Sequence, residues 1–181
     1  MSPTATTHIL AAVILIELFR DFFIKDNKKF PRYYILIAAI GAVIPDLDIA
    51  IYYILYFFGF TFNQVHRTFF HTIFIPLILF FAGIFAWTIN FKISQIGKRH
   101  MKLPRVFYIL AFGSFLHLIL DSTIIGSISP FYPFSSYKIG LDIISYLPKE
   151  ISPLIIPTIE GILLLFWLFW MEFKLKISNY F

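Results

Sequence analysis

Five apolar stretches, each long enough to enter a bilayer, divide this chain at residues 8–24, 33–58, 69–91, 104–126 and 153–173. Crossing a hydrocarbon core takes about 20 apolar residues in a helix. No water satisfies the backbone inside that core, so an isolated segment of this kind is a helix rather than a strand. The chain is 59% hydrophobic and 20% aromatic, well above the roughly 45–50% apolar content of a soluble domain. Its 181 residues leave no room for a separate soluble unit beside those segments. The expectation is therefore an all-α, polytopic membrane helical bundle of about five transmembrane helices, forming a single domain over residues 1–181.

The second stretch is expected to be broken near Pro45. Proline lacks an N–H and disfavours the α conformation in the residue before it. A helix ending near Val43 and restarting at Pro45 places Asp46 among exposed N–H groups, where the helix dipole favours an anion. Broken helices at membrane depth line sites or cavities.

Charge placement orients the bundle. The N-terminus lacks a basic region and a cleavage site, so the first stretch is read as a retained span. Alternate links carry twelve basic residues on one side of the membrane and three on the other. The richer side is cytoplasmic by the positive-inside rule, which puts the N-terminus outside and the C-terminus inside a plasma or inner membrane. The formal net charge of +5 sits in short clusters beside spans, which points to membrane lipids with anionic headgroups and not to nucleic acid. There is no cysteine, so disulfides, thiolate nucleophiles and sulfur-ligated metals are excluded, and any metal must sit on N and O ligands.

Within this apolar chain, ionisable residues of metal-ligand type recur in three places: Asp46 and Asp48, His66 and His71 flanking Arg67, and His117 with Asp121. A charge at the centre of a span costs roughly 2.5–3.5 kcal/mol on insertion scales, so such residues mark function. His117 and Asp121 are one turn apart and face the same way. They can share a metal, or the carboxylate can hold the imidazole tautomer, or the pair can join two helices. Asp46 and Asp48 can ligate from a helix start or merely cap it. His66 is expected on the entry turn and His71 within the third helix. Arg67 offers a planar fork for phosphate or carboxylate, or else snorkels to headgroups.

The predicted topology puts all of these in the outer half of the membrane, together with His8 at the start of the first span and Glu160 in the last. Glu17 and Arg20 lie toward the cytoplasm as structural pairs, and His100 sits solvated in a basic link. Three close carboxylates in a low dielectric repel unless cations neutralise them. One or two divalent metals answer that need. Imidazole with carboxylate suits zinc, with manganese or iron as alternatives.

The order of these residues completes a pattern. His8, then Gly41-Ala-Val-Ile-Pro-Asp-Leu-Asp48, His66-Arg-Thr-Phe-Phe-His-Thr72, His117-Leu-Ile-Leu-Asp-Ser122 and Tyr132-Pro-Phe-Ser135 resemble the YdjM-like family, up to about residue 142. Members of that family are described as LexA-binding or as inner-membrane metal-dependent hydrolases. More distantly, the arrangement is similar to zinc-dependent phospholipase C and P1-type nucleases, all-helical enzymes with a His/Asp-bound metal cluster.

The expectation that follows is a membrane-embedded, metal-dependent hydrolase acting on a phosphoester of a lipid or lipid-linked substrate at the extracytoplasmic side. His8, Asp46, His66, His117 and Asp121 are the expected direct metal ligands. Asp48 and His71 are expected as ligands or as catalytic groups beside them, Glu160 as a further ligand or base, and Arg67 as the holder of an anionic substrate group. Residues 127–146, rich in Phe and Tyr, would form a lid or aromatic belt. The competing expectations are a metal-ion binding or transport protein and a non-enzymatic membrane interaction protein.

Overall fold

The computed structural model describes residues 5–26, 29–89, 95–96, 101–124 and 126–180. Lys28, Lys92, Lys98, Arg99 and His100 of the basic links lie outside the described residues. Uninterrupted Leu, Ile, Phe and Ala runs close their backbone bonds locally, and seven α-helices account for the architecture among the described residues: α1 (Ala5–Phe19), α2 (Tyr33–Val43), α3 (Leu47–Leu55), α4 (Phe62–Val65), α5 (Phe74–Thr88), α6 (Leu103–Ile124) and α7 (Ser152–Leu175). A two-residue antiparallel ladder, Gln95–Ile96 against Met101–Lys102, precedes α6.

The long helices pack in the order α5, α6, α2, α1, α7. The core lies between α1, α2 and α6, where Ala12, Val13, Ile16, Tyr34, Ala38, Ala42 and Ile109 are buried together. The α2–α6 contact runs backbone to backbone. A Cβ on Gly113 would stand 2.6 Å from the Ala38 carbonyl oxygen and 2.7 Å from the Ala42 nitrogen; one on Gly41 would stand 2.7 Å from the Leu110 oxygen. Small residues that let helices approach this closely are the usual means of association in a membrane, where apolar burial alone drives nothing.

Among the described residues, α6 with 22 residues and α7 with 24 are each long and apolar enough to cross a bilayer. Tyr33–Val43 and Leu47–Phe58 qualify as one span bent by 42°. The described helices thus give two or three candidate spans and do not confirm the expected five. The helix α5 has 15 residues, about 22 Å at 1.5 Å each, short of a core roughly 30 Å thick. Its expected first turn is spent on the loop that carries His71. The helix α1 also has 15 residues and continues as a π-helical turn, Arg20–Ile24, which stops at Lys25 in the left-handed region (φ 54°).

The break at Pro45 is present but differs in detail. Ile44 stays in the right-handed region, and α3 restarts at Leu47 with Asp46 as its N-cap residue. The Asp46 side chain makes no capping bond, so the helix end does not consume its carboxylate.

Candidate metal centre

Four local devices bring the ionisable side chains together. The close α2–α6 approach sets His117 against the end of α2, where its Nδ1 donates to the Ala42 carbonyl at 2.7 Å. The bend at Pro45 brings Asp46 to His117 on α6 and Asp48 to the loop that carries His66 and His71. A capping box, in which the Thr61 N–H donates to Gln64 Oε1 at 2.8 Å, starts the short α4. Beyond it the chain reverses through Arg67, held at φ 60°. A left-handed non-glycine residue costs on the order of 1–2 kcal/mol. Here the Arg67 N–H donates to Asp48 Oδ2 at 2.9 Å, a charge-assisted bond that offsets the strain.

At the centre, His71 Nε2 and His117 Nε2 face each other at 3.3 Å. Asp46 Oδ1 stands 3.6 Å from each of them, and Asp121 Oδ2 stands 3.5 Å from His71 Nε2 and 3.8 Å from His117 Nε2. The tautomers follow from the far side of each ring. His117 commits its Nδ1 proton to Ala42, which leaves its Nε2 as an acceptor, and Asp48 Oδ2 lies 3.0 Å from His71 Nδ1, so with a proton on that nitrogen His71 would also turn an Nε2 lone pair inward. Two buried acceptors next to carboxylate oxygens repel unless a cation lies between them. A carboxylate or carbonyl behind a histidine whose other nitrogen is free to ligate is the arrangement metal sites use. The separations of 3.3 and 3.6 Å match the edge of a tetrahedron with bonds of roughly 2.0–2.1 Å, which is about 3.3–3.4 Å. The donor set thus fits a divalent ion.

Among the described residues, three groups of donor atoms lie close enough to hold a metal: His8, His117 and Asp121; Asp46, His71 and His117; and Asp48, His66 and His71. They form one chain, because His71 and His117 each belong to two of them. His8 Nε2 is 3.3 Å from Asp121 Oδ1, and its ring stacks on His117 with centroids 3.7 Å apart. Asp48 bridges two histidines, with Oδ1 3.1 Å from His66 Nδ1. His8, Asp48, His71, His117 and Asp121 are all almost fully buried.

His66 lies in the group with Asp48 and His71 at the edge of the cluster and in none with His117, whereas His71 is also grouped with Asp46 and His117. The left-handed turn at Arg67 reverses the chain between them, which points His71 inward from the loop before α5 and not from within that helix.

Arg67 Nε lies 3.3 Å from Asp121 Oδ2, and its side chain is 21% exposed, so the cation stands at the rim of the cluster. Glu160 does not join these groups. Its carboxylate accepts from Thr7 Oγ1 at 2.9 Å and ties α7 to α1 beside His8. Glu17 and Arg20 are structural, as expected. Trp167 Nε1 donates to Glu17 Oε2 at 3.0 Å, and Arg20 Nη1 pairs with Asp21 at 2.8 Å.

The Ala42 carbonyl and Ser114, a buried hydroxyl one turn before His117, carry no side-chain motif. The signal that locates them is the small-residue spacing Ala38-x-x-x-Ala42 facing Gly113.

The segment after α6 docks over the cluster's end of the bundle. The Ile73 N–H donates to the Pro130 carbonyl at 2.9 Å, and Tyr132 meets Phe69 edge-on with centroids 4.9 Å apart. Phe134, Tyr137 and Tyr146 remain exposed, as an aromatic belt requires.

Neither a search of curated proteins nor one of solved structures finds a match. A family model, described as YdjM inner membrane protein, matches residues 1–178, so the chain belongs to this family of integral membrane proteins.

Proposed function

We propose that the chain is a membrane-embedded, metal-dependent hydrolase with about five transmembrane helices that acts on a phosphoester of a lipid or lipid-linked substrate at the extracytoplasmic side. The observation that carries this reading is the pair of facing Nε2 atoms of His71 and His117, 3.3 Å apart between the carboxylates of Asp46 and Asp121. Zinc is the first choice for such a donor set, with manganese or iron next. When bound, the ion supplies a Lewis acid that polarises a phosphoryl oxygen and acidifies water.

The protein's own groups divide the remaining work. His71, His117 and Asp46, with Asp121 and His8 beside them, are the ligands. Asp48 holds His71 and His66 in orientation through its two oxygens. His66, half-buried at the edge of the cluster with Asp48 behind its Nδ1, is placed to take up or release a proton. Arg67 is the cation at the rim that meets an anionic headgroup. A site in the outer half of the membrane is reached from within the leaflet, which favours a lipid phosphate. The likeness to phospholipase C and P1-type nucleases stands as chemical analogy.

Metal analysis of the purified protein, followed by a phosphoester and lipid screen against an Asp121→Ala control, tests the proposal. Asp121→Ala is expected to lose hydrolysis and most bound metal while the protein still inserts. Arg67→Ala is expected to keep its metal and raise KM for an anionic substrate. Wild-type protein with bound metal and ion flux into proteoliposomes, but no turnover of any ester, would assign the centre to transport. Equal metal content in wild type and Asp121→Ala, with neither hydrolysis nor flux, would exclude both.

A further inference from the structure

The basic end of the bundle carries a second feature, far from the metal centre. Arg105 and Asp121 are sixteen residues apart on α6, about 24 Å along the helix axis. Beside Arg105 a groove of about 740 Å³ runs between α1 and α6, within the roughly 300–1,000 Å³ range of ligand sites.

Its walls are apolar, formed chiefly by Leu15, Phe19, Phe22 and Phe23 on one side and Tyr108 and Phe112 on the other. The π-helical turn Arg20–Ile24 widens the end of α1 and turns Phe22 and Phe23 outward, where they are 55% and 77% exposed. That end is held in place, because Arg20 Nε donates to the Phe30 carbonyl at 2.9 Å and Phe30 closes the groove floor.

Among the described residues, the charged ones lining the groove are Lys29 and Arg105, with no acidic residue beside them in its walls. Arg105 Nη1 donates to the Lys29 carbonyl, which fixes the guanidinium at the mouth near the first turn of α6, two turns from Phe112. Asp26 faces the Lys29 ammonium at 3.6 Å as an exposed pair, leaving Arg105 as the principal cation. A long apolar slot that ends at a fixed guanidinium matches a molecule with a hydrocarbon tail and an anionic head. A zwitterionic lipid would fill the slot equally well but gain less at the mouth.

We propose that this groove holds an acyl chain of an anionic phospholipid whose phosphate sits at Arg105 and Lys29, as a lipid site separate from the metal centre and independent of its chemistry. Basic pockets between membrane helices are the sequence-readable form of such recognition.

Native mass spectrometry of the detergent-purified full chain, titrated with phosphatidylglycerol or phosphatidylcholine, tests this directly. The wild type is expected to retain one phosphatidylglycerol in preference to phosphatidylcholine. Arg105→Gln should lower that preference by about fivefold, the effect of removing one cation beside an anionic headgroup. Lys102→Gln is the control, since Lys102 is exposed at the same end but does not line the groove, and it should stay within about twofold of wild type.

Equal retention of the two lipids by wild type, or equal losses in Arg105→Gln and Lys102→Gln, overturns the proposal and leaves only diffuse surface charge. A dimer that forms by filling the groove and excludes lipid overturns it as well. Should Arg105→Gln fail to fold, salt performs the same test on the wild type. The preference must fall as salt screens the exposed guanidinium, and a preference indifferent to salt refutes a phosphate contact.

Discussion

Gly113→Ala isolates the link between helix packing and the metal centre. The new Cβ would start 2.6 Å from the Ala38 oxygen and 2.7 Å from the Ala42 nitrogen, whereas 3.4 Å is ordinary contact. Both obstacles are backbone, so no side chain can swing aside, and α2 and α6 must part by about 0.8 Å. The bond from His117 Nδ1 to the Ala42 oxygen, 2.7 Å in the native packing, would then stretch to about 3.5 Å and cease to be one. Overpacking costs about 1–3 kcal/mol, while alanine recovers about 1 kcal/mol of helix propensity. The net loss of stability is therefore modest, on the order of 0–2 kcal/mol. The loss at the centre is larger in effect, because removing the group that orients a ligating histidine lowers metal affinity by about 10–100-fold. The assay is competition with a graded series of chelators on purified protein, with thermal unfolding in parallel. Gly161→Ala is the control, since a Cβ there meets nothing within 4 Å; it should leave both readouts unchanged or raise Tm slightly. Unchanged metal retention in Gly113→Ala, at unchanged Tm, would refute the argument that the α2–α6 approach sets the tautomer of His117.

Four shorter tests address other parts of the structure. Asp48→Asn keeps shape but weakens the orientation of His66 and His71, so metal affinity should fall by about 10–100-fold, measured by the same competition. Tyr34→Phe removes the acceptor of the Lys102 N–H, 2.9 Å from the Tyr34 hydroxyl, and should lower stability by about 0.5–1.5 kcal/mol with metal content unchanged. Trp167→Phe leaves the Glu17 carboxylate without its donor and should destabilise the α1–α7 contact by about 1–3 kcal/mol, read as earlier proteolysis or unfolding. A single cysteine placed at Ser135 should label from the extracytoplasmic side; labelling from the cytoplasm would invert the topology and move the metal centre with it.

The parts of this molecule that sequence exposes are those in which one residue's chemistry determines its position. Pro45 announces the break in the second apolar stretch because a missing N–H acts locally, and the 22- and 24-residue helices α6 and α7 follow from unbroken apolar runs. His117 and Asp121 fall on one face of α6 by helical periodicity alone. The placement of His66 and His71 could not be read in the same way. Their spacing of five has no fixed meaning until Arg67 adopts φ 60°, and that conformation depends on Asp48, a partner nineteen positions away. For the same reason five apolar stretches need not be five spans. The third apolar stretch begins at Phe69, but α5 begins only at Phe74, and the residues between are held by tertiary bonds such as that of Ile73 to Pro130, which hydropathy does not register.

Glu160 shows the converse limit. An intramembrane acid on the expected side of a bundle satisfies every sequence criterion for a ligand, and in the structure its carboxylate accepts from Thr7 on α1 and lies in none of the three donor groups. Hydropathy and charge therefore gather the candidate ligands at one end of this bundle, while their orientation is set by backbone groups that carry no motif: the Ala42 carbonyl behind His117 and the Arg67 N–H behind Asp48. If that division is right, substitutions that move those two backbone groups should impair metal binding as severely as substitutions of the ligands themselves, and exchanging Glu160 for Gln should not.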